Sequence, residues 1–172
     1  MDLPLDTLQV WQIDGAVGPR DFLKGIAPLL SPGDVAMFGS YEPTEKLSDA
    51  LESLGAIRHL HLDGYFMSFY ANRSEHPNGC AFEYTIKNTP FEDILQFDEQ
   101  TLSQKDISSF YDHFLAFRPG IPKVPLITFH DAVCGGTLYL SGHYSRSDAE
   151  SVANRLSLKA SLVDNPVLKF QE

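Results

Sequence analysis

Apolar residues recur every three or four positions in several stretches of the chain, a spacing typical of amphipathic helices. In residues 44–55, Leu47, Ala50, Leu51 and Leu54 line one side, and Gly55 offers the left-handed residue that commonly ends a helix. Ser147 and Glu150 have the spacing of a capping box at the start of another. Three helices are therefore predicted over residues 19–30, 44–54 and 147–156.

Two further helices are predicted in the middle of the chain. Thr89 and Glu92 have the spacing of a capping box, and Ser103 is suited to cap the helix that follows. The sequence Arg118-Pro119-Gly120 would end that second helix. Its apolar face is predicted to consist of Ile107, Phe110, Tyr111, Phe114 and Leu115.

Segments rich in β-branched and aromatic residues lie between the helices and predict strands. The tail "ASLVDNPVLKF" is expected to add an edge strand before Pro166. The last two internal strands are joined around Cys134-Gly135-Gly136 and are expected to form an antiparallel pair. The internal strands cover residues 7–15, 34–41, 57–70, 80–87, 124–133 and 136–144.

Strands and helices alternate irregularly, which favours an α+β fold with a mixed or mostly antiparallel sheet and helices packed on one face. The segments "FGSYEPTEKLSDAL" and "SGHYSRSDAESVANRL" both run from a strand through a polar turn into a helix. Repeated units of this kind are typical of ferredoxin-like elements, although strand-turn-helix joints draw on few residue types. No linker is visible, so residues 1–172 are expected to form a single globular domain.

Composition narrows the function classes. The chain has 23 acidic and 13 basic residues and a formal net charge of −10. Nucleic acids and anionic lipids attract basic surfaces, so neither is an expected partner. No apolar run approaches the roughly 20 residues of a membrane span, and the start "MDLPLDTLQV" has acid where a signal peptide has base. A cytoplasmic protein is therefore expected.

The charge is most uneven in residues 92–112, where acids greatly outnumber bases. A solvated helical face explains such a stretch, and so does an acidic surface that steers a basic protein into contact. The second interpretation predicts a protein-binding module without a cofactor, such as an inhibitor or immunity-type protein that neutralises a basic toxin. Its partner-binding residues would be Glu92, Asp93, Asp98, Glu99, Asp106 and Asp112.

The stretch "AIRHLHLDGYF" carries a candidate metal site. His59, His61 and Asp63 alternate along a predicted strand, so their side chains share one face about 7 Å apart. Imidazole and carboxylate groups suit zinc or iron. The alternative function is therefore a small metal-dependent enzyme or metal-binding protein, to which Glu83 could add a ligand. A polar, solvent-facing strand with Leu60 and Leu62 inward accounts for the same pattern.

The three residues of this HxHxD string resemble those of the metallo-β-lactamase superfamily. That family continues with a second His directly after the Asp, where this chain has Gly64. The order of elements from Val35 to Lys87 is similar to one module of the glyoxalase and vicinal-oxygen-chelate folds. This resemblance implies Glu83 as a late metal ligand, but residues 34–41 lack the early His.

Two other local patterns suggest binding or catalysis. "SGHYSRSDAESVANRL" is similar to part of the SPOR module, which implies peptidoglycan binding and covers about the last fifth of the chain. His130, Asp131 and Cys134 lie close in sequence, and a thiol beside an imidazole is the arrangement of a nucleophilic cysteine. A buried thiol beside a Gly-Gly turn explains Cys134 equally.

Overall fold

The computed structural model describes residues 9–15, 19–40, 42–59, 79–87, 113–119, 126–130 and 137–164. Within these residues lie eight strands and three α-helices. The strands are β1 (Gln9–Asp14), β2 (Val35–Ser40), β3 (Ile57–His59), β4 (Cys80–Thr85), β5 (His113–Phe117), β6 (Ile127–His130), β7 (Leu138–Ser141) and β8 (Lys159–Asp164). The helices are α1 (Pro19–Ile26), which continues into a 3-10 turn (Ala27–Leu29), α2 (Glu45–Ser53) and α3 (Arg146–Arg155).

All eight described strands form one sheet in the order β3-β4-β2-β5-β6-β7-β1-β8. Each neighbouring pair is antiparallel. The expectation of an α+β fold with a mostly antiparallel sheet is therefore confirmed. Among the described strands, the predicted pairing of β6 with β7 and the predicted edge position of β8 are confirmed as well.

Two parts of the sheet share one arrangement. α2 connects β2 to β3, and β4 lies between these two strands and is antiparallel to both. α3 connects β7 to β8, and β1 lies between those two in the same way. The two segments whose sequences echo each other thus occupy corresponding places, a strand and the helix after it.

Side chains of all three helices pack with alternate residues of the strands in one large buried cluster. Phe22 of α1 is buried in this cluster, and its ring meets that of Phe114 edge to face at 5.1 Å between centroids. Phe38 contacts the same Phe114 ring at 5.1 Å. Such edge contacts add to the free energy gained from burying the rings.

A smaller cluster contains the intervening residues of β2, β4 and β5. Met37, Ala81 and Leu115 are buried in it, and Val35 and Phe117 pack against them. In the register of the sheet Met37 lies opposite Leu115 and Val35 opposite Phe117. These strands therefore bury side chains on both faces of the sheet, which explains their nearly continuous apolar sequences.

The predicted helix ending at Arg118 is wrong over its last residues, because residues 113–117 form β5. "HFLAF" fits a buried strand as well as a helix, and short apolar runs do not distinguish the two. Pairing with β2 and β6 decides the outcome, since Phe114 lies opposite both Phe38 and Phe129. The earlier part of that prediction and the helix predicted from Thr89 lie outside the described residues.

Two helix ends also differ from the predictions. The predicted first helix ends as an α-helix at Ile26, and the 3-10 turn with Pro28 near its start follows. The predicted capping box of the last helix is wrong by two residues. Ser145, not Ser147, caps α3, and Asp148 completes the capping box.

Candidate functional site

β3 and β4 bring together His59 and Glu83, two of the suggested metal ligands, which lie 24 residues apart in the sequence. His59 lies opposite Ala81 and Glu83 opposite Ile57, so His59 and Glu83 are diagonal neighbours on one face. His59 Nε2 is 3.0 Å from Glu83 Oε2.

The His59–Glu83 pair is partly open to solvent, with side-chain exposures of 28% and 34%. A carboxylate that holds one ring nitrogen orients the imidazole and selects its tautomer. Such a pair can act as a general base, can form a salt bridge when the histidine is protonated, or can supply two ligands to a metal ion. Its accessibility makes it the best candidate site among the described residues.

Only part of the predicted metal site is described. His59 is in place at the end of β3, whereas His61 and Asp63 lie outside the described residues. Within the described ranges, no group of three or more His, Cys, Asp or Glu side chains is arranged to hold a metal ion. His59 and Glu83 thus form a pair to which a third ligand would have to be added.

All six predicted partner-binding acids lie outside the described residues. The strands that flank them in sequence, β4 and β5, are both antiparallel neighbours of β2. The described residues hold eleven acidic and nine basic side chains and so account for two of the ten excess negative charges. Residues 88–112 carry six acids and one base, half of the total excess. The six are Glu92, Asp93, Asp98, Glu99, Asp106 and Asp112.

An ion pair that the sequence did not predict, between the buried Asp34 and the half-buried Arg118, joins the start of β2 to the end of β5. Arg118 Nε donates to Asp34 Oδ1 at 3.0 Å, and its Nη2 donates to Oδ2 at 3.0 Å. The Ser31 N–H also donates to the Asp34 carboxylate, at 2.8 Å. The hydrogen bond to Asp34 is the main reason that the pKa of Arg118 lies above its ordinary value. This two-point contact is the strongest geometry available to an arginine and a carboxylate.

Tyr144 extends this polar network to the turn between β7 and α3. Its hydroxyl donates to the Leu29 carbonyl at 3.3 Å, and Arg118 Nη2 approaches the same oxygen at 3.5 Å. Burial raises the pKa of Tyr144 to about 12. The Trp11 indole N–H donates to the Tyr144 carbonyl at 2.9 Å. The network therefore connects the 3-10 turn, β2, β5 and β1, which points to a structural role.

Cys80 is buried and unbridged. Burial raises the pKa of its thiol, and the nearby Arg58 guanidinium only partly opposes that shift. A protonated, inaccessible thiol is a poor nucleophile. Ser40, opposite Cys80 on β2, has a buried hydroxyl without a hydrogen-bond partner among the described residues. The predicted thiol arrangement of His130, Asp131 and Cys134 lies outside the side chains that the structure describes.

No family model, no curated protein and no solved structure matches the chain. Among the residues that the structure describes, no helix is long and apolar enough to span a membrane.

Proposed function

We propose that this chain is a protein-binding module whose acidic surface neutralises a basic partner, as an inhibitor or immunity-type protein does for a toxin. The uneven distribution of charge supports the proposal. The described sheet and helices are almost neutral, and residues 88–112 carry half of the net charge of −10. A charge needed for solubility alone would not have to be concentrated in this way.

Concentrated acid suits fast recognition of a basic protein. Complementary potentials raise the association rate constant by about 10- to 1,000-fold at low ionic strength, and salt screens the effect. Nucleic acid and anionic membrane would be repelled by the same surface. The free thiol of Cys80 suits a reducing compartment, and we propose a cytoplasmic role.

The test compares two variants that lose equal charge. A tagged chain is used to capture partners from the lysate of its native host at low and high salt, and the captured protein is then titrated in purified form. The test variant neutralises three acids of the concentrated stretch: Asp98→Asn, Glu99→Gln and Asp106→Asn. The control neutralises three exposed acids of the described sheet and helices: Asp49→Asn, Glu150→Gln and Asp164→Asn.

We expect one basic protein in stoichiometric amount, released as salt rises. The test variant should associate with it about ten-fold more slowly at low salt, and the control variant should behave as the wild type. Capture of no partner, or equal rates for the two variants, would contradict the proposal.

We propose metal binding as a second candidate, because the 3.0 Å contact between His59 and Glu83 brings together two of its four suggested ligands. His61 and Asp63 would complete the site, and imidazole and carboxylate oxygen would favour zinc or iron. Bound metal would supply a Lewis acid beside the partly exposed His59 and Glu83. Loss of either described ligand should then release it.

The metal proposal is tested by titration of the purified chain with Zn²⁺ and Fe²⁺ and by metal analysis after dialysis. His59→Ala, Glu83→Gln and the double variant His59→Ala/His61→Ala should each lose a stoichiometric metal ion. The exposed His143 provides a matched control, and His143→Ala should retain the metal. Equal retention by all variants, or none by the wild type, would exclude this candidate.

The finer features of the fold are also proposals. Within β5-β2-β4-β3 the chain order of the strands is 4-1-3-2, the order of a ferredoxin-like sheet. We propose that this half is a ferredoxin-like element and that the helices cover one face of the sheet. The single cluster shared by α1, α2 and α3 supports that arrangement.

A further inference from the structure

We infer that β8 is a self-association edge, along which a second copy of this chain adds its own β8 in antiparallel orientation. β8 is the last strand of the described sheet and pairs with β1 on its inner side. Among the described residues, nothing pairs with its outer side. Unpaired backbone groups along a regular strand are a template for another strand.

Several features distinguish β8 from edge strands that are protected against pairing with another chain. It forms six consecutive residue pairs with β1 without a bulge. Its four central residues, "ASLV", carry no charge and no proline. Short edge strands, inward-pointing charges and bulges are the usual means of preventing edge-to-edge pairing. At the opposite end of the described sheet, the described part of β3 covers three residues.

Leu162 gives this edge an apolar contact. Its exposed fraction is 44%, and the only other large apolar side chain exposed among the described residues is Ile57 of β3, at 57%. Leu162 lies opposite the buried Trp11 of β1, so a contact made by Leu162 would extend the apolar surface next to Trp11. An exposed leucine beside unpaired backbone is well suited to an interface.

The local charge favours a second copy of this chain over a basic protein. The unit formed by β1, β7, α3 and β8 holds four acidic and three basic residues, in a chain whose net charge is −10. Two strongly acidic chains can associate only where few like charges meet. A basic partner would gain little at so neutral an edge and would be attracted elsewhere.

The register follows from symmetry. A two-fold axis normal to the sheet relates two identical antiparallel strands, and paired residues must point to the same face. Odd-numbered residues of one β8 therefore lie opposite odd-numbered residues of the other, and even-numbered residues lie opposite even-numbered ones. Leu162 opposite Leu162 of the second copy brings the two exposed side chains together and places Ala160 opposite Asp164. In this register neither Lys159 nor Asp164 faces a like charge.

The interface is small, since each copy contributes one six-residue edge and the side chains beside it. We therefore expect a dimer with a dissociation constant in the micromolar range, on the order of 10 to 100 μM. The purified full chain is studied by sedimentation velocity over a concentration series that spans this range.

Leu162→Lys places two ammonium groups at the axis and should weaken the dimer at least about ten-fold. Ile57→Lys makes the same chemical change at the other exposed apolar residue and should leave the dimer unchanged. A second pair of variants tests for a gain of cross-linking instead of a loss of binding. Leu162→Cys should form a disulfide-linked dimer under mild oxidation, and Ile57→Cys should not.

A wild type that stays monomeric throughout the series overturns the inference and leaves the edge to another occupant, such as an extended segment of a different protein. A dimer that Ile57→Lys weakens and Leu162→Lys does not also overturns it, because the interface would then lie at β3. Cross-linking of the Leu162→Cys variant but not of Ile57→Cys, together with a dimer sensitive to Leu162→Lys, supports it.

Discussion

Removing Arg118 should destabilise the protein far more than removing an exposed arginine. Asp34 has 2% of its side chain exposed, whereas Arg118 has 36%. In Arg118→Ala the carboxylate stays buried and keeps only the hydrogen bond from the Ser31 N–H among the contacts described above. Breaking a buried ion pair by deleting one partner costs about 3–5 kcal/mol. Because Arg118 lies partly in solvent, water can reach the carboxylate, and we expect about 3 kcal/mol, at the lower end of that range.

Changing Asp34, the other partner of the ion pair, should cost less. In Asp34→Asn the amide can still accept from Ser31, and the partly exposed guanidinium of Arg118 can turn towards water. We expect a loss of about 1–2 kcal/mol, within the range for a hydrogen bond to a charged group. The Leu29 carbonyl keeps the Tyr144 hydroxyl as a donor in either variant. Arg118→Ala should therefore cost more free energy of unfolding than Asp34→Asn, because Asp34 is much more deeply buried than Arg118.

The assay is equilibrium unfolding in urea, followed by far-ultraviolet circular dichroism. A loss of about 3 kcal/mol should lower the midpoint by roughly 1–3 M at an unchanged m-value. Arg146→Ala is the matched control, since Arg146 is exposed, pairs with Glu150 and lies over Trp11. It should cost at most about 1 kcal/mol.

A double-mutant cycle over Asp34→Asn and Arg118→Ala completes the test. The two residues should show a coupling free energy of at least about 1 kcal/mol. The reasoning is refuted if Arg118→Ala costs no more than Arg146→Ala, if Asp34→Asn is the more damaging single change, or if the two changes are additive.

Three further predictions concern α3 and its surroundings. Because the pKa of Tyr144 is about 12 in the folded protein and about 10 when unfolded, its contribution is intact below pH 10. It should be lost as pH rises through 12, by about 2–3 kcal/mol in all. The difference in urea midpoint between wild type and Tyr144→Phe should shrink over that range; a constant difference would contradict this. Ser145→Ala should cost about 1 kcal/mol because it removes the observed cap of α3. Ser147→Ala, which changes the cap expected from the sequence, should cost close to nothing in the same assay. Equal losses of stability would be evidence against Ser145 as the cap. Gly25→Ala brings a Cβ to 2.8 Å from Leu156 Cδ2. This clash should outweigh the roughly 1 kcal/mol that alanine adds to helix stability, so the melting temperature should fall. A rise in melting temperature would show that Leu156 repacks freely.

Elements with complete local signals were predictable from the sequence. α2 begins after Thr44, whose side chain accepts from the Leu47 N–H, and it ends just before Gly55, whose φ is +93°. The antiparallel pairing of β6 with β7 was expected from two apolar segments that lie close in sequence. In each case the residues that determine the structure lie within a few positions of one another.

Structure that depends on distant partners was not predictable. β5 has the apolar spacing of a helix, and only its neighbours β2 and β6 make it a strand. Asp34 and Arg118 are 84 residues apart, and each is explained locally by a helix stop or a helix end. His59 and Glu83 were both suggested as metal ligands, but their contact requires the register of β3 on β4. A sequence offers no local signal for such pairings.

The position of β1 explains why the strand order could not be predicted locally. β1 lies near the start of the chain, yet its two neighbours, β7 and β8, come from the end. The bond from Trp11 to Tyr144, and those from Tyr144 and Arg118 to Leu29, join residues 89 or more positions apart. Contacts so distant in sequence form only once the elements that carry them have come together, because the entropy cost of closing long loops must first be overcome. Loss of one member of this network should therefore lower the stability of the whole described sheet. Neutralising the acids of residues 92–112 should change partner binding without that effect.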